Sequence, residues 1–281
     1  MSGTLYVVGT PIGNLSDFSA RAQQTIADCD FIAAEDTRVT MKLLNHFGIR
    51  KPLVSYYEHN RRQRGEEILA RILAGESCAL VTDAGMPAIS DPGEDLVRAC
   101  HENGIQVRAV PGPVAFATAL AISGMPSGRF TFEGFLSVNK PSRRKHLESL
   151  RAEQRTMLFY EAPHKLDATL QDMLAVFGDR PIAIVREITK IYEQVIRTTL
   201  AEAAEKCETE PIKGEIVLIV AGAPEPIQPQ ITLESAVLLA RKKMDSGLSP
   251  TEAAKSAARE SGFKKGDIYK ILTDGREQDA P

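Results

Sequence analysis

Short apolar runs alternate with helically spaced apolar positions from the first residues of the chain. Residues 5–8, 31–34, 53–57, 78–81 and 106–110 are mostly apolar stretches of four or five residues and predict five strands. Between them the spacing predicts helices over 16–27, with Ser16 and Asp17 as candidate N-caps, over 40–47 with Gly48 as the stop, and over 66–73 ending at Gly75. A fourth helix opens at Asp91-Pro92-Gly93-Glu94, which reads as Asp at the N-cap, Pro at N1 and Glu at N3. The strands are continuous apolar runs, not strict alternations, so both of their faces are covered, as in a mainly parallel sheet with helices packed on it.

A Pro111-Gly112-Pro113 turn and an Ala-rich helix over 114–122 close this half, and residues 124–128 read as a linker. The alternation resumes with strands at 130–135, 157–160, 182–185, 195–199 and 215–220 and helices at 142–152, 165–177 and 201–207. Two successive strands without a helix between them, 182–185 and 195–199, predict a mixed sheet. Pro224, Pro226 and Pro229 mark a second linker. Beyond it a helix over 233–244, a capping box at Ser249-Pro250-Thr251-Glu252, a stop at Gly262 and a last helix capped by Asp267 resemble a helix-turn-helix module. The expected division is therefore an α/β domain over 1–123, a second over 124–223 and a small helical module over 230–281.

Composition narrows the class. The 281 residues are 43% hydrophobic and 25% charged, which excludes disorder, collagen-like repeats and coiled coil as the main description. The formal net charge of −3 gives no global attraction to nucleic acid or to anionic membranes, so any such contact is local. Cys29, Cys78, Cys100 and Cys207 form no C-x-x-C pair and read as buried, reduced thiols, and neither they nor the five histidines have metal-ligand spacing. No basic leader or long apolar stretch is evident, so the expected compartment is the cytoplasm.

The candidate chemistry lies in polar or Gly/Pro-rich strings directly after predicted strands, where open α/β sheets bind ligands. Gly9-Thr10-Pro11-Ile12-Gly13-Asn14 is neither G-x-G-x-x-G nor a phosphate-cradling G-x-x-x-x-G-K, so it serves either a ligand or a tight turn. Asp83-Ala84-Gly85 sets small residues and a carboxylate at a strand end. Glu35-Asp36-Thr37-Arg38 and Glu187-Ile188-Thr189-Lys190 each hold opposite charges within a few residues, suited to acid/base work or to exposed ion pairs. Two basic clusters, Arg61, Arg62 and Arg64, and Arg143, Arg144 and Lys145, are either phosphate contacts or solvated faces. The second starts a helix, where cations oppose the macrodipole unless an anion offsets them. Residues 230–281 carry nine Lys/Arg against eight Asp/Glu, weak for a DNA-binding module.

Taken in order, Thr10-Pro11-Ile12-Gly13-Asn14-Leu15, Ala34-Glu35-Asp36-Thr37-Arg38, Asp83-Ala84-Gly85-Met86-Pro87, Asp91-Pro92-Gly93, Pro111-Gly112-Pro113, Glu133-Gly134-Phe135-Leu136 and Arg186-Glu187-Ile188-Thr189-Lys190 resemble the ribosomal RNA small subunit methyltransferase I family of the tetrapyrrole (corrin/porphyrin) methylase superfamily. The resemblance runs over about 4–222. It implies a two-domain tetrapyrrole-methylase-like fold with an S-adenosylmethionine (SAM) cleft between the domains, and a homodimer. It also implies 2′-O-methylation of a cytidine ribose in the decoding region of 16S rRNA, as naked rRNA or in the 30S subunit. By the same resemblance Pro11, Asp83, Gly85, Ala88, Ile89, Val114, Ala115, Tyr160, Glu161, Ala162 and Glu215 contact the cofactor. The superfamily's Gly-Asp-Pro stands here as Asp83-Ala84-Gly85. Glu187 and Lys190, then Glu35 and Asp36, are the expected catalytic groups, and the two basic clusters the expected RNA contacts. The competing readings are a SAM-dependent methylase of a small molecule such as a tetrapyrrole, and a helix-turn-helix regulator with a ligand-sensing α/β part.

Overall fold

The computed structural model describes residues 2–225 and 232–274, so Pro226 and Pro229 of the expected linker lie outside the described residues. The chain divides after Pro224 into two compact units.

The first unit holds two sheets. Strands β1 (Thr4–Val8), β2 (Phe31–Ala34), β3 (Leu53–Ser55), β4 (Cys78–Val81) and β5 (Gln106–Val110) form an all-parallel sheet of order β3-β2-β4-β1-β5. Every residue of β2 and β4 is buried, which is why those stretches carry no polar alternation. Helices α1 (Ala20–Asp28) and α2 (Thr37–His46) cover one face through Ala22, Ile26 and Leu44. On the other, α3 (Arg61–Leu73) and α4 (Glu94–Glu102) pack Ile68, Ile72, Leu96 and Cys100 against Leu5, Phe31 and Leu80.

The second sheet joins β6 (Phe130–Phe135), β7 (Thr156–Glu161), β8 (Pro181–Arg186), β9 (Gln194–Thr199) and β10 (Ile216–Val220) in the order β6-β7-β10-β8-β9. Only β6 and β7 run parallel; β8 and β9 form the hairpin that makes the sheet mixed. Helices α6 (Lys140–Ser149), α7 (Leu166–Phe177) and α8 (Leu200–Thr209) cover one face. The opposite face receives α5 (Ala115–Ser123), whose Ala119 and Leu120 pack on Leu158, Ala183, Val185, Val217 and Ile219. This helix follows a strand of the first sheet yet is buried against the second. Ile12, from the loop after β1, joins the same core.

Helix starts and caps depart from the expected pattern in the parallel-sheet half. Asn14 caps a short 3-10 turn over Leu15–Asp17, and Ser19, not Ser16 or Asp17, caps α1. Asp36 caps α2 by accepting the Arg38 N–H. Helix α3 begins five residues earlier than the apolar spacing indicates, because its first turn is the charged Arg61-Arg62-Gln63-Arg64. Most consequentially, α4 begins at Glu94 with Gly93 as N-cap and no side-chain cap, so Asp91 is not the capping residue.

The second unit is three helices, α9 (Leu233–Asp245), α10 (Pro250–Ser261) and α11 (Lys265–Asp274), around Ala236, Ala240, Ala253, Ala254, Ala257, Ile268 and Leu272. The capping box at Ser249 and Glu252 forms as expected, and Gly262 ends α10 at φ 77°. Asp267 lies within the first turn of α11 instead of capping it.

Candidate active site

The loops at the carboxyl ends of β1, β4 and β5 are stitched together before any ligand is considered. Thr10 and Gly85 exchange backbone hydrogen bonds of 2.9 and 3.2 Å, and the Thr10 hydroxyl donates to the Thr82 carbonyl at 3.1 Å. Gly9 and Gly112 pass backbone against backbone: a Cβ on Gly9 would lie 2.6 Å from the Gly112 Cα. Only glycine permits that approach.

These loops, with the ends of β7 and β8 and the start of β10, enclose a cavity of about 340 Å3. Of the expected cofactor contacts, Gly85, Ile89, Val114, Ala115, Tyr160, Glu161, Ala162 and Glu215 line it. The structure places three elsewhere. Pro11 is buried outside the lining, and its neighbour Ile12 lines the cavity. Asp83 is exposed and accepts the Asp36 N–H at 3.0 Å. Ala88 holds a left-handed φ of 64° in the turn that leads to Asp91. Ile12, Met86, Asp91, Phe135, Ile188, Gly214, Ile216 and Val217 also line the cavity, though none is among the expected cofactor contacts. Most are apolar residues that a sequence pattern assigns to the core. Asp91 had a signal, a carboxylate after a strand-end loop, but its Pro-Gly-Glu context read as a cap.

Aromatic packing fixes one wall. The Tyr160 ring stands edge-on to Phe132 at 4.9 Å, Phe132 stacks on Phe116 at 4.3 Å, and the Tyr160 hydroxyl accepts the Phe116 N–H at 3.3 Å. Glu161 is buried and its carboxylate accepts from the Ala162 N–H at 2.8 Å and the Thr169 hydroxyl at 2.6 Å, with Lys165 Nζ 3.2 Å away.

Glu187 and Lys190 meet at the cavity rim. Glu187 Oε1 accepts from Lys190 Nζ at 3.0 Å and from the Glu215 N–H at 2.9 Å; Lys190 Nζ also lies 3.3 Å from Glu215 Oε2. The Glu215 N–H and the Lys190 ammonium hold the Glu187 carboxyl below the usual carboxylate range. Partial burial opposes the charge on Lys190, but the two carboxylates outweigh it and raise its pKa. Both groups are therefore ionised at neutral pH. Glu187 and Thr189 hold left-handed φ of 52° and 67°. A Cβ on Gly13 would lie 2.7 Å from the Lys190 Cγ, so the first loop needs glycine there to let this side chain pass.

Glu35 and Asp36 are apart from that pair. Asp36 is bound by the Arg38 guanidinium, whose hydrogen bond holds its carboxyl at about 2. Glu35 accepts the Thr82 hydroxyl at 2.5 Å and lines a second cavity of about 500 Å3, which Tyr57, His59, Arg61 and Arg98 also line. Ser90 and Asp91 line both cavities. Burial pushes the Asp91 carboxyl up to about 6, with the Glu35 and Asp83 carboxylates adding to the effect.

The basic clusters separate. Arg143 points inward: its side chain is 7% exposed, it pairs with Asp172 at 2.7 Å, and it donates to the Ser137 and Val138 carbonyls. It is a core ion pair, not an RNA contact, and Asp172 supplies the anion that offsets the cations at this helix start. Arg144 reaches the same carboxylate from the surface at 2.7 Å, and Lys145 is exposed. Arg61 lies 3.3 Å from Glu58 and 3.8 Å from Asp95, Arg64 pairs with Glu67, and Arg62 is exposed. The four cysteines are buried and free, and burial raises Cys29 to about 12 and Cys100 to about 11, so neither supplies a thiolate at neutral pH.

A parallel and a mixed five-stranded sheet sharing one apolar, carboxylate-bearing cavity define a two-lobed methylase fold distinct from the glycine-fingerprint dinucleotide folds. The chain matches the tetrapyrrole (corrin/porphyrin) methylases over residues 4–204. It is 47% identical over 272 residues to the ribosomal RNA small subunit methyltransferase I of Halalkalibacterium halodurans, covering 96% of this chain and 94% of that one. It is also 47% identical over 220 residues to the protein of that name from Thermotoga maritima, covering 78% of this chain and 99% of the relative. The uroporphyrin-III C-methyltransferase of Thermus thermophilus, solved with S-adenosyl homocysteine, superposes with a TM-score of 0.54 at 18% identity, covering 77% of this chain and 97% of that one; that likeness establishes the fold. The chain belongs to the tetrapyrrole methylases and, within them, to the ribosomal RNA small subunit methyltransferase I family.

Proposed function

We propose that this protein transfers a methyl group from SAM to the ribose 2′-oxygen of a cytidine in the decoding region of small-subunit rRNA. The relatives named for small-subunit rRNA methylation, similar over nearly the whole chain, support the reaction class. The observation that carries the cofactor is the cavity itself. Its walls are apolar, from Ile12, Met86, Val114, Ile216 and Val217, and suit an adenosine. Its charged lining residues, among those described, are the carboxylates Asp91, Glu161 and Glu215. An apolar site with carboxylates suits a sulfonium and an ammonium, and is a poor host for the phosphates of a nucleotide cofactor. The residues present therefore fit SAM.

Bound there, SAM supplies a methyl group already activated on sulfur, so orientation of the acceptor oxygen accounts for much of the rate. The Thr10–Gly85 and Gly9–Gly112 contacts hold the surrounding loops rigid. Lys190, fixed by Glu187 and Glu215, keeps a positive charge at the rim, where it faces the approaching phosphodiester chain. Arg61, Arg62 and Arg64, with Arg144 and Lys145, are the RNA contacts of this reading. It further includes a homodimer working in the cytoplasm, where small subunits are found; Ile191 and Tyr192, 94% and 71% exposed at the β8–β9 turn, are apolar surface available for such contacts. Among the described residues no helix is long and apolar enough to cross a membrane.

The test is incubation with radiolabelled SAM and, in parallel, small subunits lacking the modification, naked small-subunit rRNA, and a tetrapyrrole. Label in rRNA that survives alkali as a 2′-O-methylcytidine dinucleotide is expected. Label in the tetrapyrrole alone contradicts the reading.

A further inference from the structure

The second cavity is rich in hydrogen-bond acceptors and poor in free positive charge. Glu35, Glu58, Glu94 and Asp95 line it together with Arg61 and Arg98. Both guanidinium groups are already answered: Arg61 lies 3.3 Å from Glu58, and Arg98 lies 3.3 Å from Glu94. A phosphate gains little by entering such a space. A neutral ring that carries an amino group is a better guest, since it brings donors and no negative charge. Asp91, at the boundary with the first cavity, belongs to the cofactor site.

Glu35 is the carboxylate of this set that is held firmly with an oxygen left over. Asp95 Oδ1 accepts the Tyr56 hydroxyl at 2.6 Å and the Leu96 N–H at 3.1 Å, and Glu58 and Glu94 are exposed partners of the arginines. Glu35 directly follows β2 and is half-buried; its Oε2 accepts the Thr82 hydroxyl at 2.5 Å and the Asp83 N–H at 3.4 Å. Its Oε1 meets no donor among the described residues. A fixed, half-buried acceptor left open is suited to a donor on a ligand. Tyr57 and His59 line the same space with their rings nearly perpendicular and 6.2 Å apart. Asn60 anchors this segment: its Oδ1 accepts the Tyr57 N–H at 2.8 Å, and its Nδ2 donates to the Ser55 carbonyl at 3.2 Å. Aromatic rings presented in this way stack unpaired bases.

Resting on the rRNA-methylation reading, we propose that the second cavity reads the acceptor base as cytosine: the base stacks on Tyr57, and its 4-amino group donates to Glu35 Oε1. A carboxylate is a natural partner for that amine. It also rejects uracil, whose O4 would set its lone pairs against a fixed negative charge. Ser90 lines both cavities, so a nucleoside with its base at Glu35 carries its ribose toward the boundary with the cofactor cavity. Thr82 ties the two sides together, because its side chain hydrogen-bonds to Glu35 and to Asp91. Glu35 is thus a specificity-determining residue that selects the base, and the ribose proton is not its concern.

The test uses small subunits reassembled around transcripts that carry cytidine or uridine at the methylated position, with kcat/KM measured for the full-length protein on each. Wild type should favour cytidine by about tenfold or more, the scale of one good base-edge contact. Glu35→Gln presents an amide that accepts from the cytosine amine or donates to uracil O4. It should bring the two substrates within about threefold of each other, chiefly by raising uridine methylation. A merely structural role for Glu35, or one exerted through Thr82 on the cofactor, lowers both substrates alike. An unchanged ratio in Glu35→Gln therefore overturns the proposal, as does a wild type that treats the two substrates equally. Tyr57→Ala should raise KM for small subunits by about tenfold and Tyr57→Phe should restore it; a normal KM in Tyr57→Ala overturns the stacking. Binding has its own readout. Millimolar cytidine should shift the His59 imidazole proton signals of the full-length protein, identified by their loss in His59→Gln, while uridine leaves them nearly in place. Equal shifts, or none, overturn the pocket assignment whether or not the protein methylates small subunits. A selective cytidine shift in a protein inert on both kinds of subunit upholds the pocket and fails the functional reading alone.

Discussion

Glu187 and Asp91 are acidic residues on two sides of one cleft, and the fold treats them oppositely. Glu187 is met by an ammonium at 3.0 Å and a backbone N–H at 2.9 Å, which favour its ionised form. Asp91 is partly buried beside two other carboxylates, which favours its protonated form. A carboxylate with its acceptor positions filled builds structure; one left short of partners in a cavity retains chemical capacity. The same contrast separates the basic clusters. Arg143 is consumed by Asp172 and two carbonyls, whereas Arg61 and Arg62 stand at the surface.

The largest effect that sharpens the contrast concerns the saturated groups. Asp172→Ala strands the buried Arg143 guanidinium and should cost about 3 kcal/mol or more of stability, read as a fall in Tm. Its pH signature follows from sign. Burial raises the Asp172 pKa, but the Arg144 and Arg143 guanidinium groups outweigh it and leave it lowered. The stabilisation is thus present above the unfolded carboxylate value of about 4 and lost as pH falls through the lower native one. The variant should lose that acid-limb slope; an unchanged Tm would break the distinction between consumed and available charge.

Glu187→Gln comes next. It removes a charge-assisted contact and should cost about 1.5–3 kcal/mol while raising KM for SAM more than it lowers kcat. Gly13→Ala should act at the same place, since its Cβ displaces Lys190 at a φ of 142°. A rise of a few-fold in KM is expected, and normal kinetics would show that Lys190 has no fixed position. The smallest effects belong to the surface. Arg61→Glu with Arg62→Glu should weaken subunit binding and flatten its salt dependence by about two phosphate contacts. Arg144→Glu, close to Asp172, should do less. An unaltered salt slope in the double variant would remove that cluster from the RNA contacts.

The inner strands were legible because burial on both faces writes itself as an uninterrupted apolar run; β2 and β4 begin and end where the sequence indicates, as does the mostly exposed edge strand β5. The first cavity was largely legible as well, since its polar strings follow strand ends. Asp91 was hidden by its context: Asp-Pro-Gly-Glu fits a helix start, and only the glycine at φ 150° decides that the helix begins later. Arg143 and Arg144 were indistinguishable in sequence, because which of two adjacent arginines turns inward depends on Asp172, 29 residues from the first. The second cavity had no local signature at all, being assembled from loops around Glu35, Tyr57 and Asp91.

The difference between the two carboxylates is decided most directly by the affinity for SAM, measured by calorimetry side by side for wild type, Glu187→Gln and Asp91→Asn. Asp91 lines the cavity and Glu187 does not, so Asp91→Asn should weaken binding by about tenfold or more and Glu187→Gln by only a few-fold. Unchanged affinity in Asp91→Asn would contradict the assignment of this cavity to the cofactor.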